Sequence, residues 1–112
     1  MQISSVLEGD HYIIRVNGDV DASSSIHLDE AMSEAIGAGH AKIMVDCSEL
    51  NYISSAGLGV FMSYIEELKD KNIQMVLFGL SEKVENVFKV LGLDQLLNIQ
   101  QSKDQAKQVF HG

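Results

Sequence analysis

Two adjacent serines, Ser54 and Ser55, stand where a polar segment leads into an amphipathic helix. A hydroxyl at a helix N-terminus lies beside unpaired backbone N–H groups and the positive end of the helix dipole, and both favour an added phosphate. The simpler alternative is that one serine only caps the helix, which stabilises it by about 1 kcal/mol. Capping does not explain Gly57 and Gly59, because a glycine inside a helix costs roughly 1 kcal/mol relative to alanine. Glycine permits another backbone to come close, and that backbone can belong to a neighbouring strand or to a docking protein.

Enzymatic chemistry at this segment is disfavoured. A nucleophilic serine on a strained elbow requires the pattern Gly-x-Ser-x-Gly, and Ile53 stands where the first glycine is needed. A phosphate-binding loop would need Gly-Lys-Ser/Thr after Gly57-Leu58-Gly59. Cys47 follows an apolar strand and is expected to be a core residue rather than a reactive thiol. No spacing nominates a general base or a pair of metal ligands among the histidines, which are His11, His27, His40 and His111. We therefore expect no catalytic residue, no metal and no cofactor.

Length, charge and composition restrict the function further. A chain of 112 residues predicts one domain, spanning 1–112. A net charge of −8 argues against binding to nucleic acid, which requires clustered Lys and Arg. There is no apolar run of the roughly 20 residues that a membrane span needs, and no secretory signal at the N-terminus. A single cysteine fits a reducing compartment, so the cytoplasm is the expected location. The absence of coiled-coil heptads makes a monomer the simpler expectation.

The elements that must position the serines alternate along the chain. Two strands, 1–8 and 11–18, are predicted around a turn at Gly9-Asp10, followed by buried strands at 42–46 and 73–78 and a short strand at 96–99. Helices are predicted between these strands, one of them running from the serines through Leu68, and a last helix is predicted from Ser102. The apolar stripes of these helices include Met62, Val87 and Leu91, and Met62 is assigned to the core. This order predicts an α/β fold that opens with a β-hairpin, with a mixed sheet of about four to five strands covered by about four α-helices.

Three segments together resemble the STAS domain, and within it the bacterial anti-sigma factor antagonists. Gly18-Asp19-Val20-Asp21 is similar to the family's Gly-x-Leu/Val-Asp motif. Residues 45–48 followed by 52–59 resemble its strand-loop-helix segment, which often ends in Asp-Ser-Ser/Thr-Gly-Leu-Gly. Leu91-Gly92-Leu93 resembles the C-terminal third of the family. The combination covers essentially the whole chain and is specific in this order, and it implies a STAS fold.

The resemblance implies a partner switch centred on Ser55, which takes the position of the family's phosphorylated serine. The unphosphorylated antagonist binds an anti-sigma factor that is also a serine kinase with a histidine-kinase-like ATP fold, and this frees the sigma factor. Phosphorylation by that kinase releases the antagonist, and a metal-dependent PP2C-type phosphatase restores it. ATP and metal then belong to the partners and not to this chain.

The implied partner-binding residues are Asp21, Ser54, Ser55, Ala56, Gly57 and Leu58. Asp21 either orients the Ser55 hydroxyl or tunes recognition by the kinase, or it is only a turn or cap residue. Ser54 departs from the family pattern because it replaces an aspartate, and Ala56 replaces the second Ser or Thr. The lost charge leaves three consequences open, namely a different kinase, competition from Ser54, or no phosphorylation. In the last case the alternative function is a non-phosphorylated STAS accessory or scaffold subunit of a transport or sensory assembly.

Overall fold

The computed structural model describes residues 1–111, the last of them by its backbone alone. This part of the chain contains six strands, five α-helices and one 3₁₀ turn. The strands are β1 (Gln2–Glu8), β2 (His11–Val20), β3 (Lys42–Asp46), β4 (Leu50–Ile53), β5 (Gln74–Phe78) and β6 (Asn98–Gln100). The helices are α1 (Ser25–Gly37), α2 (Ser55–Ser63), α3 (Ile65–Asp70), α4 (Glu82–Val90) and α5 (Lys103–His111), with the 3₁₀ turn at Leu93–Gln95.

The strands form one mixed sheet in the order β1-β2-β3-β5-β6. β1 and β2 form an antiparallel hairpin, with Glu8 opposite His11, and the other neighbours on this path pair in parallel. β4 lies off the path and pairs in parallel with the end of β2. The predicted fold class, hairpin and mixed sheet are confirmed. The sequence pattern did not predict β4, whose residues fall in the segment interpreted as a loop.

Different helices pack on the two faces of the sheet. One face and the helices α1 to α4 enclose the main core, in which Leu28, Phe61 and Phe88 are among the buried side chains. The other face buries a smaller cluster of Ile13, Met44, Val76 and Phe78 under Ala106 of α5. Salt bridges from Lys103 and Lys107 to Glu8 hold α5 against the hairpin, at Nζ–Oε distances of 2.7 and 3.4 Å. No described helix is both long and apolar enough to cross a bilayer.

Two details differ from the predicted helices. The single helix predicted after the serines is divided at Tyr64 into α2 and α3. The assignment of Met62 to the core is wrong, because Met62 is 41% exposed. Val87 and Leu91 of the next predicted helix are 37% and 58% exposed. Leu58 and Phe61 supply the buried face of α2, which leaves Met62 at its edge. Likewise α4 buries Val84 and Phe88 and ends at Val90, so that Leu91 lies beyond its last turn.

Candidate functional site

A bend in β2 brings the serine segment to the edge of the sheet. Gly18 adopts a φ of +96° and donates its N–H to the Glu49 carbonyl at 2.8 Å. The register shifts between Gly18 and Asp19, which brings the end of β2 alongside β4 with Val20 opposite Ile53. The N–H of Ser54 then donates to the Val20 carbonyl at 2.8 Å. The residues that follow these two parallel strands, Asp21 and Ser54, therefore lie at the same edge of the sheet.

Ser54 is the N-cap of α2. Its backbone is extended, with φ −83° and ψ 171°, and its Oγ accepts a hydrogen bond from the Gly57 N–H at 3.2 Å. Serine and aspartate cap helices about equally well. A serine at this position therefore keeps the cap but removes the negative charge that an aspartate would place there.

Ser55 is the first residue of α2, and its side chain is exposed. Its hydroxyl takes no part in capping, since the Gly57 N–H is bound by Ser54. The hydroxyl instead projects at the end of a helix where the dipole is positive. This arrangement leaves one hydroxyl of the pair engaged in structure and the other available for reaction.

The two glycines of α2 have different surroundings. Gly57 is buried, and a Cβ added to it would lie 2.7 Å from Ile53 Cγ1 and 2.8 Å from Val20 Cγ1. Packing of α2 on the ends of β2 and β4 therefore requires glycine at position 57. Gly59 is exposed, and an added Cβ would meet nothing within 4 Å. Packing inside the domain thus explains the first glycine but not the second.

Asp21 organises the turn that leads into α1. Its Oδ1 accepts four hydrogen bonds, from the N–H and Oγ of Ser23 and of Ser24, at 2.8 to 3.0 Å. These bonds, foremost the one from the Ser24 backbone, lower the pKa of Asp21 from its usual 3.8 to about 2. Asp21 N–H in turn donates to Ser24 Oγ at 2.9 Å. None of these bonds reaches Ser54 or Ser55, so the geometry favours the turn-forming role for Asp21.

An apolar groove opens beside Ser55. It has a volume of about 410 Å³ and is lined by Ser55, Leu58, Gly59, Met62, Leu91, Leu93 and Leu96. We call these seven residues the apolar groove. The sequence pointed to Leu91-Gly92-Leu93 as a functional segment only through the family resemblance, because helical spacing placed Leu91 on the third predicted helix with Gly92 as its end. Met62 was assigned to the core. Leu58 is only 4% exposed, so it contributes to the groove mainly as its floor.

The six predicted partner-binding residues thus fall into two groups. Asp21, Ser55 and Ala56 are exposed, and Ser54 is half-buried. Gly57 and Leu58 are buried in the first turns of α2. All six follow the carboxyl ends of β2 and β4: Asp21 lies in the turn before α1, and the other five extend from the N-cap of α2 into its first turn.

Cys47 lies away from solvent in the main core, as predicted. Burial, together with the nearby charge of Asp46, raises the pKa of its thiol, which disfavours a thiolate. Within residues 1–110, no group of three or more His, Cys, Asp or Glu side chains is arranged to hold a metal ion. The side chain of His111 is outside the described part of the chain.

Comparison with known proteins shows the family. The sequence profile of the STAS domain matches residues 2–106. The chain belongs to the STAS domain family. The anti-sigma-B factor antagonist of Listeria monocytogenes is 32% identical over 90 residues, which are 80% of this chain and 79% of the relative. This similarity places the STAS protein among the anti-sigma factor antagonists.

Solved structures agree with the STAS fold. An anti-sigma factor antagonist from Mycobacterium paratuberculosis superposes with a TM-score of 0.90 at 15% identity, covering 99% of this chain and 94% of the other. The Bacillus cell fate determinant SpoIIAA in its phosphorylated form superposes with a TM-score of 0.71 at 20% identity, covering 96% of this chain and 99% of the other. At these identities the similarity concerns the fold alone.

The STAS motifs have local structural causes here. Gly18 permits the bend in β2, Val20 is fully buried against Gly57, and Asp21 closes the turn before α1. Gly57 permits the contact between α2 and the strand ends. The physical requirements of this edge therefore explain much of the family pattern, but no contact inside the described part of the chain explains Ser55 or Gly59.

Proposed function

We propose that this STAS protein is an anti-sigma factor antagonist whose partner binding is switched off by phosphorylation of Ser55. The proposal rests on one observation, the different structural roles of the two serines. Ser54 caps α2, whereas Ser55 is exposed at the same helix start and its hydroxyl makes no hydrogen bond to the described residues. A kinase can therefore modify Ser55 without dismantling the cap.

The proposed partners are proteins, and the chain itself performs no catalysis. The unphosphorylated form binds and sequesters an anti-sigma factor that is also a serine kinase with a histidine-kinase-like ATP fold. A PP2C-type phosphatase removes the phosphate. Family membership and the existence of a phosphorylated form of the Bacillus relative support this cycle. The cycle is expected to operate in the cytoplasm with the antagonist as a monomer, without nucleic acid, membrane or cofactor bound to this chain.

Phosphorylation is expected to act by charge and bulk at the docking surface. A phosphate adds about −1.5 to −2 charges at pH 7. At the start of α2 that charge is favourable to the helix, so the fold is retained. Burying the same charge against a docked protein without a partner costs several kcal/mol. Because Ser54 stands where the family pattern has an aspartate, the N-cap of α2 carries no charge. A phosphate on Ser55 therefore meets no like-charge repulsion from position 54.

The test is phosphate transfer to single-serine variants. The purified chain, Ser55→Ala and Ser54→Ala would each be incubated with ATP and with each purified histidine-kinase-like anti-sigma factor of the source genome. Mass spectrometry of the tryptic peptide 43–69 would locate the phosphate. We expect one phosphate on Ser55 in the wild type and in Ser54→Ala, and none in Ser55→Ala.

Two outcomes would contradict the proposal. Phosphate on Ser54 in the wild type would show that the capping hydroxyl is the acceptor. Absence of phosphate with every such kinase, and on protein purified from cells that lack the phosphatase, would remove the switch. The function of a non-phosphorylated accessory or scaffold subunit would then take its place.

A further inference from the structure

The first strand, β1, leaves one edge of the sheet open. It pairs with β2 on one side, and no described strand lies on its other side. The pairing with β2 runs through the whole of β1 in an unbroken register, and the strand contains neither Lys nor Pro. Short length, bulges, Lys and Pro are the usual features that prevent an edge strand from pairing with another chain. Val6 and Leu7 are also 40% and 55% exposed. β1 is therefore a regular edge to which a further strand can be added.

The hairpin turn determines which backbone groups of β1 face the open edge. The two-residue turn is closed by hydrogen bonding between its flanking residues, Glu8 and His11. Because such bonds alternate along an antiparallel pair, the N–H and C=O groups of Ile3, Ser5 and Leu7 point away from β2. These residues therefore offer their backbone donors and acceptors to an added strand.

A groove with a volume of about 390 Å³ lies beside this edge, between β1 and α1. Ile3 and Ser5 line it from the strand, and His27, Glu30 and Glu34 line it from the helix. We call the space beside these five residues the edge groove. Both glutamates are exposed, and neither forms a salt bridge with a basic group of residues 1–110. Among the described side chains, no Lys or Arg lines the groove. The side-chain charge next to the open edge is therefore negative.

We propose that the open edge of β1 binds an extended segment of a partner protein, which adds a strand to the sheet and alternates Lys or Arg with apolar residues. Main-chain hydrogen bonds supply the affinity in this mode of binding, and side chains at alternate positions supply the specificity. Residues opposite Ile3 and Ser5 would lie on the α1 side of the sheet. Lys or Arg at these positions would meet Glu30 and Glu34 across the edge groove. The positions between them face the other side, where an apolar side chain would cover Val6.

A second copy of this chain fits the edge less well. Antiparallel pairing of two β1 strands would place both α1 helices on the same face of the joined sheet. Glu30 and Glu34 of each copy would then flank one interface, and their like charges would oppose association. The edge groove shares no lining residue with the apolar groove beside Ser55. Binding at β1 therefore does not depend on the proposed phosphorylation switch.

Synthetic peptides provide the first part of the test. The probe is a peptide of alternating Lys and Val with blocked ends, seven residues long like β1. One control peptide has Glu in place of Lys, which reverses the charge. A second control is the Lys–Val peptide methylated at every backbone nitrogen, which removes its main-chain donors. Titration of each peptide into the purified chain, followed by backbone amide shifts in NMR spectra, would locate the peptide and give its Kd.

Matched variants of the chain provide the second part. Ser5→Pro removes one outward N–H, and proline is tolerated where the N–H of an edge strand faces solvent. Ser5→Ala is its control, because both variants lose the same side-chain hydrogen bond. Glu30→Gln combined with Glu34→Gln removes the charge from the edge groove. Glu66→Gln combined with Asp70→Asn removes an exposed acidic pair at the same spacing on α3. Thermal unfolding would verify that each variant is folded.

We expect the Lys–Val peptide to shift the amides of β1 and to bind at least about tenfold more tightly than either control peptide. Ser5→Pro and the double variant of Glu30 and Glu34 should each raise the Kd by about tenfold, and the two control variants by less than about twofold. If the β1 amides do not shift at about 1 mM peptide, or if either control peptide binds as tightly, the proposal fails. A dimer in sedimentation equilibrium that Ser5→Pro dissociates would assign the edge to a second copy and would also overturn it. Phosphorylation of Ser55 is unaffected by any of these outcomes, so the proposed function stands or fails separately.

Discussion

At the scale of single residues, Gly57 and Gly59 differ in whether packing of the fold requires a glycine. A methyl group at position 57 would lie within 2.8 Å of two side chains that end β2 and β4. Gly57→Ala is expected to destabilise the domain by about 1–3 kcal/mol, the usual cost of overpacking a core. Gly59→Ala is expected to stabilise it by up to about 1 kcal/mol, because only helix propensity changes.

Urea denaturation of the two alanine variants checks this contrast. The midpoint should fall for Gly57→Ala and rise for Gly59→Ala, with similar slopes. A Gly57→Ala protein as stable as the wild type would mean that Val20 and Ile53 move aside easily, and that the glycine is there for another reason.

Asp21 predicts a pH dependence of stability. The hydrogen bonds from Ser23 and Ser24 hold its pKa at about 2 in the folded protein, below the usual 3.8. A lowered pKa stabilises the fold above the unfolded value, and this stabilisation is lost as the pH falls from about 4 toward 2. The wild type should therefore exceed Asp21→Asn in stability at pH 5 to 7, and the difference should shrink as the pH approaches 2.

Urea midpoints of both proteins at pH 7, 5, 4 and 3 would measure this difference, with Asp19→Asn as a control at a nearby exposed carboxylate. If Asp21 acted only in recognition by the kinase, Asp21→Asn would match the wild type in stability at every pH but would be phosphorylated more slowly.

The site shows what the sequence could and could not predict at this scale. Local pattern was sufficient to find the two serines and to predict a capping role for one of them. Which serine caps α2 depends on where the helix begins, and that is set by the pairing of β4 with β2. Spacing alone also could not separate Gly57 from Gly59, because their difference lies in contacts with Val20 and Ile53, which precede them in the chain.

At the scale of elements, the sequence predicted every strand on the main path of the sheet, with small shifts of their ends. β4 was missed because Leu50 and Ile53 are buried while Asn51 and Tyr52 between them are exposed, so the segment lacks the alternation of a strand. Its pairing depends on the bend at Gly18, a contact that is distant in sequence. The break between α2 and α3 at Tyr64 was missed because no Gly or Pro stands there to predict it.

The Tyr64 side chain links this break to α1. Its Oη donates to Asp29 Oδ1 at 2.6 Å. Tyr64→Phe removes this bond and is expected to destabilise the domain by about 1–2 kcal/mol, since the acceptor is a half-buried carboxylate. Tyr12→Phe is the control, because it removes a bond at 2.9 Å to Ser5 on the exposed hairpin and should have a smaller effect.

The same bond has a signature at high pH. Burial first, and then the hydrogen bond and charge of Asp29, raise the pKa of Tyr64 to about 12 from its usual 10. A raised pKa stabilises the fold below pH 10, and this contribution is lost as the pH rises toward 12. Absorbance titration of the phenolates should show a late ionisation in the wild type that Tyr64→Phe removes. Equal stability of the two proteins at pH 8 would contradict the role assigned to Tyr64.

At the scale of the whole molecule, the two faces of the sheet have separate tasks. α5 covers one face through Ala106 and is tied to the hairpin by Lys103 and Lys107. The serines and the apolar groove lie with α2 and α4, whose buried side chains belong to the main core. A change of charge at Ser55 therefore occurs on an exposed edge, where the core need not rearrange.

Phosphorylation is accordingly expected to change binding and leave the fold intact. The phosphate adds about −1.5 to −2 charges to a chain of net charge −8, and the start of α2 accommodates it with a stabilisation of about 0.3–1 kcal/mol. The melting temperature of the phosphorylated protein should equal or slightly exceed that of the unphosphorylated protein. Backbone amide shifts in NMR spectra should change mainly at residues 54–59 and along the apolar groove, and affinity for the kinase should be lost. A phosphatase-treated sample, which should recover both the original spectrum and the affinity, is the control. Shifts spread through β1 and α5, or a melting temperature lowered by several degrees, would instead mean that the phosphate releases the partner by loosening the domain.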